Sequence, residues 1–312
     1  MPLRIGLHAG PQDCTYEDLK RLWHIADSSG FYWISVWDHF YENPTIDGKG
    51  PCFEGITTMA ALAAETSNVR VGCLVFCMGY RNPALFAKSA VTIDHISNGR
   101  LELGIGAGWY DLEYRAYGYP FPPIATRMDM LEEGVQIIRS MFTDEETTFI
   151  GEHYRVEKAY CFPRPVQKPP RIWLGGIGEK RTLRIAARYA GGWNAPYISP
   201  QVYKAKSQVL DRWCEVEKKN PADIQRSVNV GFYMGADEAA ARRKRQEFEE
   251  IWKSEADADP GGMLLGTASE AIEQMGAFVD AGVTDLNIAL RAPYDFDALQ
   301  SFIEDVMPAF KD

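Results

Sequence analysis

Asp38 and His39 form the pair in this sequence best suited to proton chemistry. An imidazole titrates near neutrality, so His39 can give or take a proton while a neighbouring carboxylate supports it. Neighbours on a regular strand point to opposite faces, so both can serve one site only at a frayed strand end. That arrangement assigns His39 to a ligand and Asp38 to its support. His24 and His95 fall in helical segments and His153 in a hairpin, and these three read as structural or surface groups.

Two glycine patterns offer ligand contacts. Gly175-Gly176-Ile177-Gly178 follows an expected strand and opens an expected helix. Glycine lets backbone come close to a ligand, and amides at a helix start favour an anion such as phosphate. A tight turn with no ligand would use the same residues. Gly104-Ile105-Gly106-Ala107-Gly108 invites comparison with a dinucleotide fingerprint, but Trp109 stands where the third glycine should be. The pattern also follows a fourth strand, not the first. It reads as a loop packing small residues against a planar ligand, though a close backbone turn would use the same residues.

Other chemistries lack their residues. The first strand ends in His8 without a His-x-His, and no cluster of carboxylates and histidines has metal-ligand spacing, so no metal is expected. A net charge of -10 argues against general nucleic-acid binding, which needs a basic face. The six cysteines form no Cys-x-x-Cys and read as free thiols of a reducing cytoplasm. No signal peptide and no bilayer-spanning apolar run are visible.

The elements that must position these residues alternate between short β-rich runs and helical periods, the pattern of βα units. Strands are expected at Leu3–His8, Trp33–Trp37, Val69–Phe76, Leu101–Ile105, Arg171–Leu174, Gly192–Ala195, Ser227–Tyr233 and Asp285–Leu290. Eight such strands predict one (β/α)8 TIM barrel over residues 1–312, with no linker dividing it. Barrel enzymes carry their chemistry at the C-terminal strand ends. Those ends are His8, Asp38-His39, Phe76-Cys77, Gly106 to Trp109, Gly175 to Gly178, Asn194 and Arg291. Leu131, Val135, Ile138 and Phe142 make one apolar helical stripe. Thr267 with Glu270 makes a capping box, Gly282 suits a helix C-terminus, and Asn98-Gly99 stops a helix from about Ala84. Insertions follow strands 4 and 7. Residues 143–170 hold a hairpin (Thr147–Phe149 with His153–Val156) and then prolines, and residues 254–266 read as a loop between two helices.

Taken in order, these residues resemble the bacterial luciferase-like monooxygenase superfamily, in its coenzyme F420-dependent oxidoreductase branch. The resemblance is carried by Gly30-Phe31, Trp37-Asp38-His39-Phe40, Thr66 to Gly72, Asn82-Pro83-Ala84, Asp94 to Arg100 and Gly104 to Trp109. It continues through Glu113 to Gly118, Arg127, Gly151 to Tyr154, Pro169 to Ile172, Gly175 to Glu179 and Gly191 to Asn194. It implies that Asp38 and His39 lie at the deazaflavin ring of F420. It further implies a bulge with a non-prolyl cis peptide at Leu74-Val75 backing the ring, and Cys77 in contact with the ring system. Ala107, Gly108 and Trp109 would line the cofactor, and Gly175, Gly176, Ile177 and Gly178 would take its phosphate.

The resemblance makes the protein an oxidoreductase passing a hydride between the deazaflavin and a small organic substrate, with His39 as the catalytic residue. It also implies a homodimer. The same fold hosts monooxygenases using reduced FMN and oxygen, and flavin-binding proteins without turnover. The branch's glucose-6-phosphate dehydrogenases carry a glutamate acid and a tryptophan where this chain has Trp109 and Asn43. That departure points away from a sugar phosphate and toward an apolar or planar substrate.

Overall fold

The structure, a computed structural model, describes residues 2–43, 48–252 and 260–311. Eight parallel strands close into a barrel: β1 (Arg4–Ala9), β2 (Trp33–Val36), β3 (Arg70–Cys77), β4 (Leu101–Gly106), β7 (Arg171–Gly175), β8 (Gly192–Pro196), β9 (Gln225–Met234) and β11 (Asp285–Leu290). Closure comes from β9, which pairs with β8 on one edge and β11 on the other. Each of the eight lies within one or two residues of its expected bounds. Their apolar runs are buried on both faces, as a parallel sheet wrapped by helices requires.

The outer ring comprises α1 (Tyr16–Ser28), α2 (Gly55–Glu65), α3 (Pro83–Ile96), α4 (Asp111–Ala116), α5 (Ile124–Thr143), α6 (Thr182–Tyr189), α7 (Pro200–Val216), α8 (Glu238–Trp252), α9 (Ala268–Asp280) and α10 (Phe296–Ser301). The stripe Leu131, Val135, Ile138 and Phe142 faces the core from α5, and all four are buried. Helix α3 stops at Asn98 (φ 52°) and Gly99 (φ 82°), whose amide reaches back to the Asp94 carbonyl at 2.8 Å. The Thr267–Glu270 capping box is formed at the start of α9, and Gly282 follows its end at φ 91°.

The insertion before β7 is the expected hairpin, β5 (Thr147–Ile150) with β6 (Arg155–Ala159). The Glu133 carboxylate on α5 closes its turn by accepting from the amides of Glu152, His153 and Tyr154. The segment expected to be a loop at 254–266 differs. Residues 253–259 lie outside the described residues, and Met263–Gly266 forms a strand, β10. Gly231 of β9 pairs with both Ala289 and Met263, so β10 takes the edge of β9 that β8 has left. Its four residues are held by that ladder, not by a period of their own.

The lumen is partly polar, and its polar groups are mutually satisfied, as burial demands. Trp33 and Trp173 stack at 5.2 Å, with their indole N–H groups donating to Asn287 and Glu102. Asn194 was expected at the mouth but lies buried inside, donating to Ser227 at 2.9 Å and Asn229 at 3.0 Å. This lattice braces the strand ends above it.

Candidate active site

The mouth is shaped first by β3. Its register with β4 shifts between Cys73 and Phe76, and the Leu74-Val75 peptide is cis, at the bond the resemblance implied. Leu74 packs against Trp33 and Trp173. Val75 turns toward the neighbouring strands, and a Cβ on Gly104, Gly106 or Gly175 would lie 3.1, 2.7 or 2.7 Å from its methyl carbons. A Cβ on Gly104 would also sit 2.1 Å from the Cys73 carbonyl oxygen. These glycines exist to admit the bulge. Gly104, inside its expected strand, and Gly106, expected just beyond it in a ligand-packing loop, are thus both strand residues with a steric cause.

Asp38 follows the end of β2, and its carboxylate points back into the protein. Arg81 binds it through both guanidinium nitrogens at 2.5 and 2.6 Å, and the Cys77 amide donates to it at 2.9 Å. Asp38 is 4% exposed, so this fork ties the end of β2 to the end of β3. The Cys77 thiol is buried against the Tyr114 hydroxyl at 2.9 Å, and burial pushes it up to about 12. It stays a thiol at neutral pH. Gly108 adopts φ +75°, and a Cβ there would strike the Cys77 sulfur and the Tyr114 hydroxyl. Ala107 is half-buried beside it.

His39 points the other way and is half-buried. Its Nδ1 lies 3.1 and 3.0 Å from the two carboxylate oxygens of Glu113 on α4. Glu113 is fully buried and also accepts from the amides of Phe40 and Tyr41 and the Tyr80 hydroxyl. Burial alone would raise its pKa, but the hydrogen bond and charge of His39 and the two amides outweigh it. The net effect holds Glu113 below the usual carboxylate range. On the far side, Nε2 of His39 lies 3.3 Å from the Asn43 side-chain nitrogen. An ionised Glu113 accepts a hydrogen bond from Nδ1–H, so the ring's lone pair is on Nε2, where the Asn43 side-chain amide donates to it.

Aromatic rings wall this site. Trp109 and Tyr110 stack at 4.9 Å and both meet His39 edge-on, at 5.7 and 5.9 Å. Trp109 is 61% exposed, so it forms the rim and not the core. Phe40, Tyr80 and Tyr117 continue the wall, with centroids 4.5 and 4.3 Å apart.

The Gly175–Gly178 turn follows β7 at the same C-terminal mouth, three strands round the ring from β2. Gly176 adopts φ +115°, its amide donates to the Asn194 carbonyl and its carbonyl accepts from the Trp193 indole. A Cβ on Gly178 would lie 2.9 Å from the Thr182 hydroxyl oxygen. Helix α6 begins only at Thr182, so the turn expected to open it is instead a separate half-exposed cradle. Among the described residues the amides of Ile177 and Gly178 have no protein acceptor, and such donors suit a phosphate. The cradle, with two amide donors unused by the protein, thus fits the phosphate of a cofactor.

His8 is buried beneath, bonded to Ser35 at 2.9 Å and edge-on to Trp37 at 5.2 Å. Burial, aided by the positive charge of Arg291, pushes it down to about 3, so it is neutral. Glu113, Arg81 and Tyr114 were missed as site residues, since their partners lie far away in sequence. Glu113 had one usable signal, a carboxylate between Leu112 and Tyr114 just after the glycine-rich strand end. Among the described residues, no group of three or more His, Cys, Asp or Glu side chains is placed to hold a metal.

The luciferase-like monooxygenase family matches residues 2–285. The chain belongs to that family. A relative in Amycolatopsis mediterranei, an F420-dependent glucose-6-phosphate dehydrogenase, is 25% identical over 99% of both chains. An F420-dependent secondary alcohol dehydrogenase, solved with an F420-acetone adduct, superposes with a TM-score of 0.84 at 21% identity, over 100% of both chains. The coenzyme F420-dependent tetrahydromethanopterin reductase of Methanopyrus kandleri does so with 0.80 at 17% identity, again over 100% of both. At those identities the two solved structures establish the barrel fold alone.

Proposed function

We propose that this protein is a coenzyme F420-dependent oxidoreductase that moves a hydride between the deazaflavin and a small organic substrate. The observation that carries it is the His39 imidazole, fixed by buried Glu113 at a barrel mouth that also carries an open glycine cradle. The full-length F420-dependent relative supports the choice of F420 over FMN. When bound, the deazaflavin supplies the hydride acceptor or donor.

The chain's own residues do the rest. The amides of Ile177 and Gly178, in the turn opened by Gly175 and Gly176, hold the phosphate. Leu74 and Val75 back the ring, and Cys77, Ala107, Gly108 and Trp109 line it. Asp38 acts through Arg81 and the Cys77 amide, holding the β2 and β3 ends in place. His39 holds or moves the substrate proton at Nε2, and Trp109 with Tyr110 keeps water from that side.

Equilibrium binding of F420 and of FMN, each alone, to the purified protein tests the reading. Tight F420 binding is expected, and tight FMN binding with no F420 binding overturns it.

We further propose that the chain works as one domain in a homodimer. Exposed Leu85, Tyr160 and Phe162 supply apolar surface for it, and sedimentation equilibrium reads the state directly. No helix among the described residues is long and apolar enough to cross a membrane. All six cysteines are unpaired, which suits the cytoplasm.

A further inference from the structure

The mouth holds a second space, away from the cradle. A cavity of about 210 Å³ opens at the ends of β8, β9, β11 and the segment after β1. In the ring of strands this half lies across the lumen from the β3, β4 and β7 ends, which carry Val75, Gly108 and Gly176. It is smaller than the roughly 300 to 1,000 Å³ sites of drug-sized ligands, so it fits a small molecule.

Asn43 connects the two halves. It lines the cavity, and its side-chain nitrogen lies 3.3 Å from His39 Nε2, the ring nitrogen not taken by Glu113. Its backbone is pinned by Gln12, which accepts from the Asn43 amide at 3.0 Å, and by Arg291, which donates to the Asn43 carbonyl. Asn43 therefore stands between the basic edge of His39 and this space.

The charges around the cavity decide what can enter. Asp13, Glu247 and Asp295 line it against two cations, Lys244 and Arg291. Lys244 is held by Glu247 at 2.9 Å and Asp295 at 3.7 Å. Arg291 is engaged by Asn43 and lies over the Trp37 and Trp252 rings, at 5.4 and 5.7 Å. Among the described lining residues three carboxylates outnumber two cations, so the space disfavours a doubly charged phosphate.

The remaining wall is mostly apolar or aromatic, including Phe232, Met263, Leu290 and Trp252. Tyr197 stands out. It has φ 49°, a backbone region bulky side chains seldom occupy, and its amide is held by the Asn229 carbonyl at 2.8 Å. The Tyr233 hydroxyl accepts from the Trp252 indole at 2.7 Å, whereas the Tyr197 hydroxyl has no partner among the described residues.

We propose that this cavity is the substrate pocket, that it takes a small uncharged alcohol or carbonyl compound with an apolar body, and that the Tyr197 hydroxyl binds its oxygen. The assignment rests on the oxidoreductase reading for its chemistry but not for binding. A phosphorylated sugar, the substrate class named for the Amycolatopsis mediterranei relative, meets an excess of carboxylates here.

Saturation-transfer NMR titration of the purified protein with cyclohexanol and with glucose 6-phosphate tests this, with F420 binding measured in parallel. Cyclohexanol should bind and glucose 6-phosphate should not. Tyr197→Phe, which keeps the ring, should weaken cyclohexanol about tenfold, the loss of one hydrogen bond. Ala289→Phe, which fills the cavity, should abolish it while F420 still binds. Binding of glucose 6-phosphate alone, or cyclohexanol binding untouched by either variant, overturns the proposal. If wild-type protein binds cyclohexanol as expected but not F420, the cofactor reading falls and the pocket stands.

Discussion

Nδ1 of His39 is within 3.1 Å of both carboxylate oxygens of fully buried Glu113. A carboxylate so placed selects the tautomer with the proton on Nδ1 and fixes the plane of the ring. Glu113→Gln keeps an acceptor for the Phe40 and Tyr41 amides but removes the charge. Turnover should fall roughly ten- to a hundredfold, part of the ~10²–10⁴ available to general acid-base catalysis. F420 affinity should change little. Nitrogen-15 NMR of the His39 ring should show the Nδ1-protonated tautomer in the native protein and a mixture in the variant. A single unchanged tautomer would remove Glu113 from the mechanism.

Arg81 should matter for stability. Its guanidinium is the bidentate partner of buried Asp38 and also reaches Glu54 at 2.7 Å. Arg81→Met leaves the Asp38 carboxylate buried with only the Cys77 amide for company. Removing one partner of a buried pair costs about 3 to 5 kcal/mol, and urea unfolding should register a loss of that size. Arg81→Lys should recover only part of it, since an ammonium cannot reproduce the fork.

What could be read from the sequence follows from the range of each cause. Strands such as Val69–Phe76 and Asp285–Leu290 show as apolar runs because their burial is a local property of composition. Asp38-His39 showed as a site because a titratable pair at a strand end is itself a local pattern. Glu113 did not, since its meaning comes from His39, Phe40 and Tyr41, more than seventy residues earlier. Gly104 and Gly106 were visible but their cause was not, because the side chain they admit belongs to Val75 on another strand. Strand β10 has four residues, too few to display a period, and exists through pairing with β9.

The phosphate cradle can be tested without substrate. A Cβ on Gly178 would sit 2.9 Å from the Thr182 hydroxyl oxygen, forcing the turn or the start of α6 to shift. Gly178→Ala should weaken F420 binding about tenfold, read by fluorescence titration. The turn is half-exposed, so the melting temperature should move by only a few degrees. Gly176→Ala, placed at φ +115°, should be worse on both measures.

His8 sets a pH window for stability. Its folded-state pKa is pushed from 6.5 down to about 3, first by burial and then by Arg291. Between those values the unfolded chain binds a proton that the folded chain refuses, so stability falls as pH drops and is unaffected above the window. The slope is about 1.4 kcal/mol per pH unit once pH is well inside it. Glu113 acts in the same direction, since its depressed pKa stabilises the fold above the ordinary carboxylate range and that stability is lost in acid. Carboxylates titrate near 4 to 4.5, so the interval from about 6 to 5 isolates histidine. Urea unfolding there should show the slope in the native protein and lose most of it in His8→Gln. An equal slope in both would mean that His8 is protonated in the folded state or that another group titrates in its place.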